Sequence, residues 1–211
     1  MFQPRQFNKT EDGTARRGRI VVFLGPDGAG KTTVLGLVQK RLSIRRENFC
    51  YRYFAPGYLK RYRPKGDGSI TTNPHEGRQY GQLLIAAKIM LMLYEFRMGL
   101  SPLRHAHRLS LFDRYIHDLL VDPRRYRMSH LRWWMRLMLK AAPAPDLLVV
   151  VSAPADVIQA RKQEVSCEET VRQVAAYEAL AQTMRNAVII HNTGAPEEAA
   201  DAVLAQIEVL R

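Results

Sequence analysis

The run Gly25-Pro-Asp-Gly-Ala-Gly-Lys-Thr32, with Thr33 behind it, constrains this chain more than any other stretch. It fits G-x-x-x-x-G-K-[ST], and its flanks fit too. Ile20 to Leu24 is a short continuous apolar run, of the kind a parallel strand covered on both faces uses. Val34, Leu35, Val38 and Leu42 then recur at helical spacing, so the order is strand, glycine loop, helix. Gly25, Gly28 and Gly30 allow the backbone of Pro26, Asp27 and Ala29 to bend until successive N–H groups point inward, a nest for phosphate oxygens. The helix start adds unpaired N–H groups and its positive dipole end. Lys31 can reach β- and γ-phosphates, and the Thr32 hydroxyl can sit on a bridging Mg²⁺. The stretch from Gly25 to Thr33 therefore predicts a site for a nucleoside triphosphate with magnesium.

The rest of the 211 residues reads as one domain. Phe49 to Phe54 predicts a second strand, and Leu109 to Phe112 a third, closed by Asp113-Arg-Tyr. Leu147 to Val151 and Val188 to Ile190 complete the set. Helices are predicted from about Glu76 to Met98, over 131–142, from the Ser166-Cys-Glu-Glu169 capping box to about Arg185, and from Pro196 onward. Alternation of this kind argues for a five-stranded parallel sheet with helices on both faces, an α/β three-layer arrangement. Its ligand crevice lies at the carboxyl ends of the strands, where the glycine loop and Asp113 both fall. Asp113 is then placed to face Mg²⁺ or the acceptor hydroxyl, and Arg114 to offer a planar guanidinium to phosphate oxygens. Residues 1–18 read as a loose basic tail, and 57–74 as a loop whose basic side chains make either a substrate cover or a solvated connector.

The formal net charge of +12 favours polyanionic ligands, yet there is no compact Lys/Arg tract and no nucleic-acid-binding module, so no nucleic-acid partner is expected. Cys50 and Cys167 are too few for a disulfide framework or a metal cluster. Met1 to Arg19 has no apolar core of a signal peptide, and Leu83 to Leu93 is too short and too charged to span a bilayer. A cytoplasmic location is expected. The 131–140 segment sets Arg132, Arg136 and Lys140 opposite Leu131, Trp134, Met135, Met138 and Leu139. Packing on the sheet and docking on an anionic membrane both account for that pattern.

Asp-Gly-Ala-Gly-Lys-Thr-Thr in the loop and Phe-Asp-Arg-Tyr after the third strand resemble the thymidylate kinases and, more broadly, the P-loop nucleoside and nucleotide kinases. The resemblance runs over roughly residues 19–210 in order of elements. It implies the P-loop kinase fold, with residues 19–211 as the kinase domain and a short lid near 159–168. Lys31 and Thr32 would serve the donor phosphates of ATP and Mg²⁺, Asp27 would face the acceptor's sugar, and Asp113 and Arg114 would organise metal, acceptor and the phosphoryl in transit. Arg97, in Tyr94-Glu-Phe-Arg97, is similar to the arginine that contacts the acceptor monophosphate, with Arg78 a second candidate. Gly28 stands where one branch of the family has an arginine, which leaves Arg161 of the lid, with Lys162 or Arg172 behind it, as the source of transition-state charge. The expected activity is transfer from ATP to a nucleoside monophosphate, dTMP by preference. A same-fold kinase for a nucleoside or sugar derivative, and a non-catalytic nucleotide-binding regulator or membrane-associated protein, are the alternatives. A homodimer through the long helix around 83–94 is implied by the resemblance alone.

Overall fold

A computed structural model describes residues 17–59, 80–128, 131–163 and 165–210. Five strands form one parallel sheet: β1 (Arg19–Leu24), β2 (Phe49–Tyr53), β3 (Leu109–Asp113), β4 (Leu147–Ser152) and β5 (Ala187–His191), in the order β2-β3-β1-β4-β5. The central strands are the apolar runs of the sequence. Every residue of β3 and β4 is buried, whereas the edge strands β2 and β5 keep partly exposed positions. A parallel sheet needs both faces covered, because each crossover puts a helix on one of them.

Strand alternation divides the core in two. Ile20, Val22 and Leu24 of β1 pack with α2 (Gln82–Ala106), α4 (Trp133–Lys140) and α6 (Cys167–Gln182) through Ile85, Ile89, Phe96, Leu139 and Tyr177. Val21 and Phe23 face the other way, onto α1 (Lys31–Ile44) and α7 (Pro196–Val209) through Val34, Val38, Leu42, Val203 and Ile207. The three layers expected from the alternation are present.

Several boundaries differ from the sequence reading. The long helix continues to Ala106 and carries Pro102 within it. Proline ends helices because it lacks an N–H and crowds the preceding turn. Here burial of Leu100 and Leu103 in the core on either side of it holds the helix together. The polar stretch after β3 contains a short helix, α3 (Asp118–Val121), and a 3₁₀ turn at Arg124–Tyr126. A further helix, α5 (Ala155–Arg161), follows β4. At α6 the Ser166 hydroxyl accepts from the Glu169 N–H, but the Glu169 carboxylate turns to Arg172 and Gln173 instead of closing the capping box.

Gly18, the last residue of the expected tail, is buried, with its N–H on the Arg104 carbonyl and its own carbonyl on Arg104 Nη1, both at 2.9 Å. In α4, Met135 and Leu139 are buried and Trp134 and Met138 pack against the same core, as the packing reading requires, while Trp133 is exposed. Among the described residues no helix is long and apolar enough to cross a membrane.

Candidate functional site

The glycine loop connects β1 to α1, and its conformation is the one glycine permits. Gly25, Gly28 and Gly30 have φ of 145°, 90° and 84°. A Cβ at Gly30 would stand 2.2 Å from Asn192 Nδ2, and one at Gly25 2.2 Å from the Val151 carbonyl. Alanine is therefore excluded at both by conformation and by space. Asn192, just beyond β5, fixes the loop from behind by donating Nδ2 to the Ala29 carbonyl at 2.8 Å. Its N–H is held by the Ser152 carbonyl at 2.8 Å. Nothing in the sequence marked Asn192, since its partner lies 163 residues away.

Register brings the second half of the site alongside. Phe23 of β1 pairs with Asp113 of β3, so the loop and Asp113 leave neighbouring strands at the same level. Lys31, the first residue of α1, is an ion pair with Asp113, Nζ to Oδ1 3.1 Å, and the side chains are only 6% and 8% exposed. Burial pulls the Lys31 ammonium below its ordinary value and Arg114 adds to that, while Asp113 and Asp27 hold it up. Among the described residues, Asp113 Oδ1 has this ion pair with Lys31 and accepts no further hydrogen bond. Tyr51 of β2 leans on the same carboxylate, and burial, then the Asp113 charge, pushes its hydroxyl up to about 12.

Arg114 adopts the left-handed backbone, φ 73°, and turns under the loop. Its Nη2 donates to Asp27 Oδ1, and its Nη1 to Asp118 Oδ2 at 2.8 Å. Asp118 is fully buried and also accepts from the Tyr126 hydroxyl at 2.6 Å and from the Tyr177 hydroxyl of α6. The other Asp27 oxygen accepts from Arg125 Nη1. Burial alone would raise the Asp27 carboxyl, but Arg114 and Arg125, with Lys31 behind them, hold it well below the ordinary carboxylate range. Three cations and three carboxylates thus interlock between the glycine loop, the end of β3 and the turn after α3. Sequence reasoning identified Lys31, Asp27, Asp113 and Arg114. It missed Asp118, Arg125, Tyr126 and Tyr177.

The other expected residues lie at varied distances from this cluster. Thr32 and Thr33 are exposed in the first turn of α1. Arg161 ends α5 and donates Nη1 to the Asn192 carbonyl at 3.1 Å, beside the loop, and the Lys162 Cβ would be 3.4 Å from a Cβ at Gly28. Gln159 ties α5 to the start of α6 through the Val165 carbonyl at 3.0 Å and Thr170 Oγ1 at 2.5 Å. Arg172 is held by Glu169 and the Val121 carbonyl. Arg97 is exposed and donates to the Ala141 carbonyl at the end of α4, so the structure does not bring it to the cluster. Its neighbour Glu95 is buried instead and accepts from the N–H groups of Gly57, Tyr58 and Leu59, at 2.7, 2.6 and 2.6 Å. The loop after β2 is thereby closed onto α2. Arg78 lies outside the described residues.

These residues fit a magnesium–nucleotide group. The Asp113 carboxylate, whose Oδ1 pairs with Lys31, and the Thr32 hydroxyl are hard oxygen donors, and a magnesium ion that keeps its waters and binds phosphate needs only one or two such ligands from the protein. The left-handed glycines give the loop the backbone conformation in which successive N–H groups can face an anion.

His117, within the same segment, is buried, stacks on Tyr115 with 5.5 Å between centroids, and among the described residues leaves Nδ1 without a partner. Burial lowers its pKa from 6.5 to about 4. The unfolded chain takes up the proton first, so the stability this neutral ring allows is complete above pH 6.5 and lost as pH falls toward 4. Between pH 7.5 and 4.5 the stability difference between wild type and His117→Gln is expected to shift by about 2–3 kcal/mol against the wild type. Urea unfolding at the two pH values measures it.

No protein-family model matches the chain. Among curated proteins, the thymidylate kinase of Akkermansia muciniphila is 27% identical over 153 residues. These cover 67% of this chain and 66% of that protein, just under two thirds of its length. The fold is α/β with an all-parallel five-stranded sheet flanked by helices, consistent with a P-loop kinase fold. The similarity adds a kinase-like relationship.

Proposed function

We propose that this protein is an ATP-dependent kinase that phosphorylates a nucleoside monophosphate, with dTMP the preferred acceptor. The observation that carries the reading is the buried Lys31–Asp113 pair at adjoining strand ends, beneath a glycine loop whose Asp27 meets Arg114. In this reading the loop amides from Gly25 to Thr33 and Lys31 bind the donor phosphates, and Thr32 and Asp113 hold Mg²⁺. Bound there, the ion would supply positive charge to the donor phosphates. Arg114 orients the phosphoryl in transit, and Arg161, beside the loop, adds positive charge from the lid side.

The acceptor oxygen forms the new P–O bond while the bond from the γ-phosphorus to the oxygen bridging it to the β-phosphate breaks, releasing ADP. A phosphate nucleophile is already an anion, so no base is needed to take a proton. A hydroxyl acceptor would need one, and Asp113 is the nearest carboxylate to the phosphate-binding lysine. One observation favours that second reading, a nucleoside or sugar-derivative kinase. Glu95 already occupies the amides of the loop after β2, which a phosphate would otherwise take. A coupled ADP-release assay over nucleoside monophosphates, nucleosides and sugar derivatives decides between them. Turnover with dTMP above all other acceptors is the expected result, and ADP release with none of them sinks the kinase reading.

A cytoplasmic enzyme that dimerises through α2 completes the reading. Exposed Leu83, Met90 and Tyr94 along that helix support such an interface.

A further inference from the structure

We propose that Arg125 is the side chain that grips the acceptor's phosphate, a role that rests on the nucleotide-kinase reading above. The residue sits on a rigid support. Pro123 opens its 3₁₀ turn with φ −67°, the Arg125 N–H meets Asp122 Oδ1 at 3.3 Å, and Arg127 closes the turn at φ 61°. The next side chain, Tyr126, is anchored by its hydroxyl on Asp118 and by its ring on Phe54, 5.0 Å between centroids. That support aims the Arg125 guanidinium at Asp27, inside the glycine loop.

Among the cations of the cluster, Arg125 has the partner that is easiest to exchange. Lys31 is sealed against Asp113, and Arg114, only 3% exposed, is held by the fully buried Asp118. The Arg125–Asp27 pair lies at the mouth, with side chains 19% and 22% exposed. Leaving a partly exposed partner costs less than breaking a fully buried pair, which strands a charge. Asp27 also keeps Arg114 when Arg125 turns away, so it stays compensated. A guanidinium forks onto phosphate oxygens in a way an ammonium does not. Among the described residues the other candidate grips are engaged elsewhere: Arg97 on the Ala141 carbonyl, and the amides of Gly57 to Leu59 on Glu95.

The phosphate bound by Arg125 belongs to the acceptor or to the donor, and kinetics separate the two. Steady-state assays of the full chain compare wild type, Arg125→Ala, Arg125→Lys, Arg97→Ala and the exposed-site control Arg132→Ala. With dTMP as the varied substrate, Arg125→Ala is expected to raise KM about 10- to 100-fold, the loss that follows removal of one charge-assisted partner. KM for ATP should stay within about twofold, and Arg125→Lys should recover part of the loss. Inhibition by thymidine, which has no phosphate, should be unchanged. An unchanged KM for dTMP, a rise in KM for ATP instead, or an effect confined to Arg97→Ala would each overturn the assignment. If the alanine variant fails to fold, the same KM split is measured in Arg125→Gln, where an unchanged KM for dTMP overturns the assignment equally. Absence of any nucleoside monophosphate kinase activity in the wild type would instead refute the underlying reading.

Discussion

Lys31→Ala is expected to lower phosphoryl-transfer turnover by about 10²–10³, the size of effect seen when one preorganised charge is removed from a transition state. The same change should also destabilise the fold. Lys31 and Asp113 meet at 3.1 Å with almost no access to water, so the alanine leaves a buried carboxylate without its cation. Breaking one side of such a pair costs about 3–5 kcal/mol. A loss of activity in the single variant is therefore ambiguous between chemistry and folding. The double variant Lys31→Ala/Asp113→Asn separates them, because the neutral amide no longer needs a counter-charge. Its urea midpoint should return most of the way to wild type while turnover remains at least as low as in Lys31→Ala. Recovery of turnover together with stability would mean that Lys31 supports the loop and does not act on phosphate.

Lys31 and its surroundings were legible in the sequence because they depend on local spacing. A glycine loop between an apolar run and a 3.6-residue repeat has few physical solutions, and Val34, Leu35, Val38 and Leu42 are all buried as the repeat predicts. The strands were legible for a related reason: β1, β3 and β4 are buried on both sides, β1 and β4 carry unbroken apolar runs, and β3 is interrupted only by Ser110 before Asp113. Where partners are distant in the chain, the sequence carries no such signal. Asn192 meets Ala29 across 163 residues, and Arg125 meets Asp27 across 98. In the sequence these are an ordinary asparagine after a strand and one arginine in a basic loop. Arg97 illustrates the converse. The resemblance of Tyr94-Glu-Phe-Arg97 to a family helix named it, but the helix rotation buries Glu95 and Phe96 and leaves Arg97 facing the end of α4. Pattern specifies which residue types are present on a helix, while its packing decides which face meets the crevice.

Loss of Asp118 should cost the fold as much as loss of Lys31, and nothing in the sequence distinguished it from a loop aspartate. Its carboxylate is fully buried and accepts from Arg114, Tyr126 and Tyr177, three groups carried by the end of β3, the 3₁₀ turn and α6. Asp118→Asn keeps the shape but presents an amide N–H₂ to donors, and it removes the charge that balances Arg114. The expected cost is about 3–5 kcal/mol, a large share of the stability of a domain this size and on the order of 10 °C in Tm. Tyr177→Phe removes one donor and should cost only about 1 kcal/mol. Calorimetry and urea unfolding of both variants test the ranking, and a Tyr177→Phe loss equal to that of Asp118→Asn would contradict it. Function should follow in a specific way, since Arg114 is oriented between Asp118 and Asp27. With Asp118 neutral, the guanidinium gains freedom to pair with Asp27 alone. Turnover should therefore drop even at a temperature where Asp118→Asn is fully folded, whereas KM for ATP, which depends on the glycine loop and Lys31, should hold.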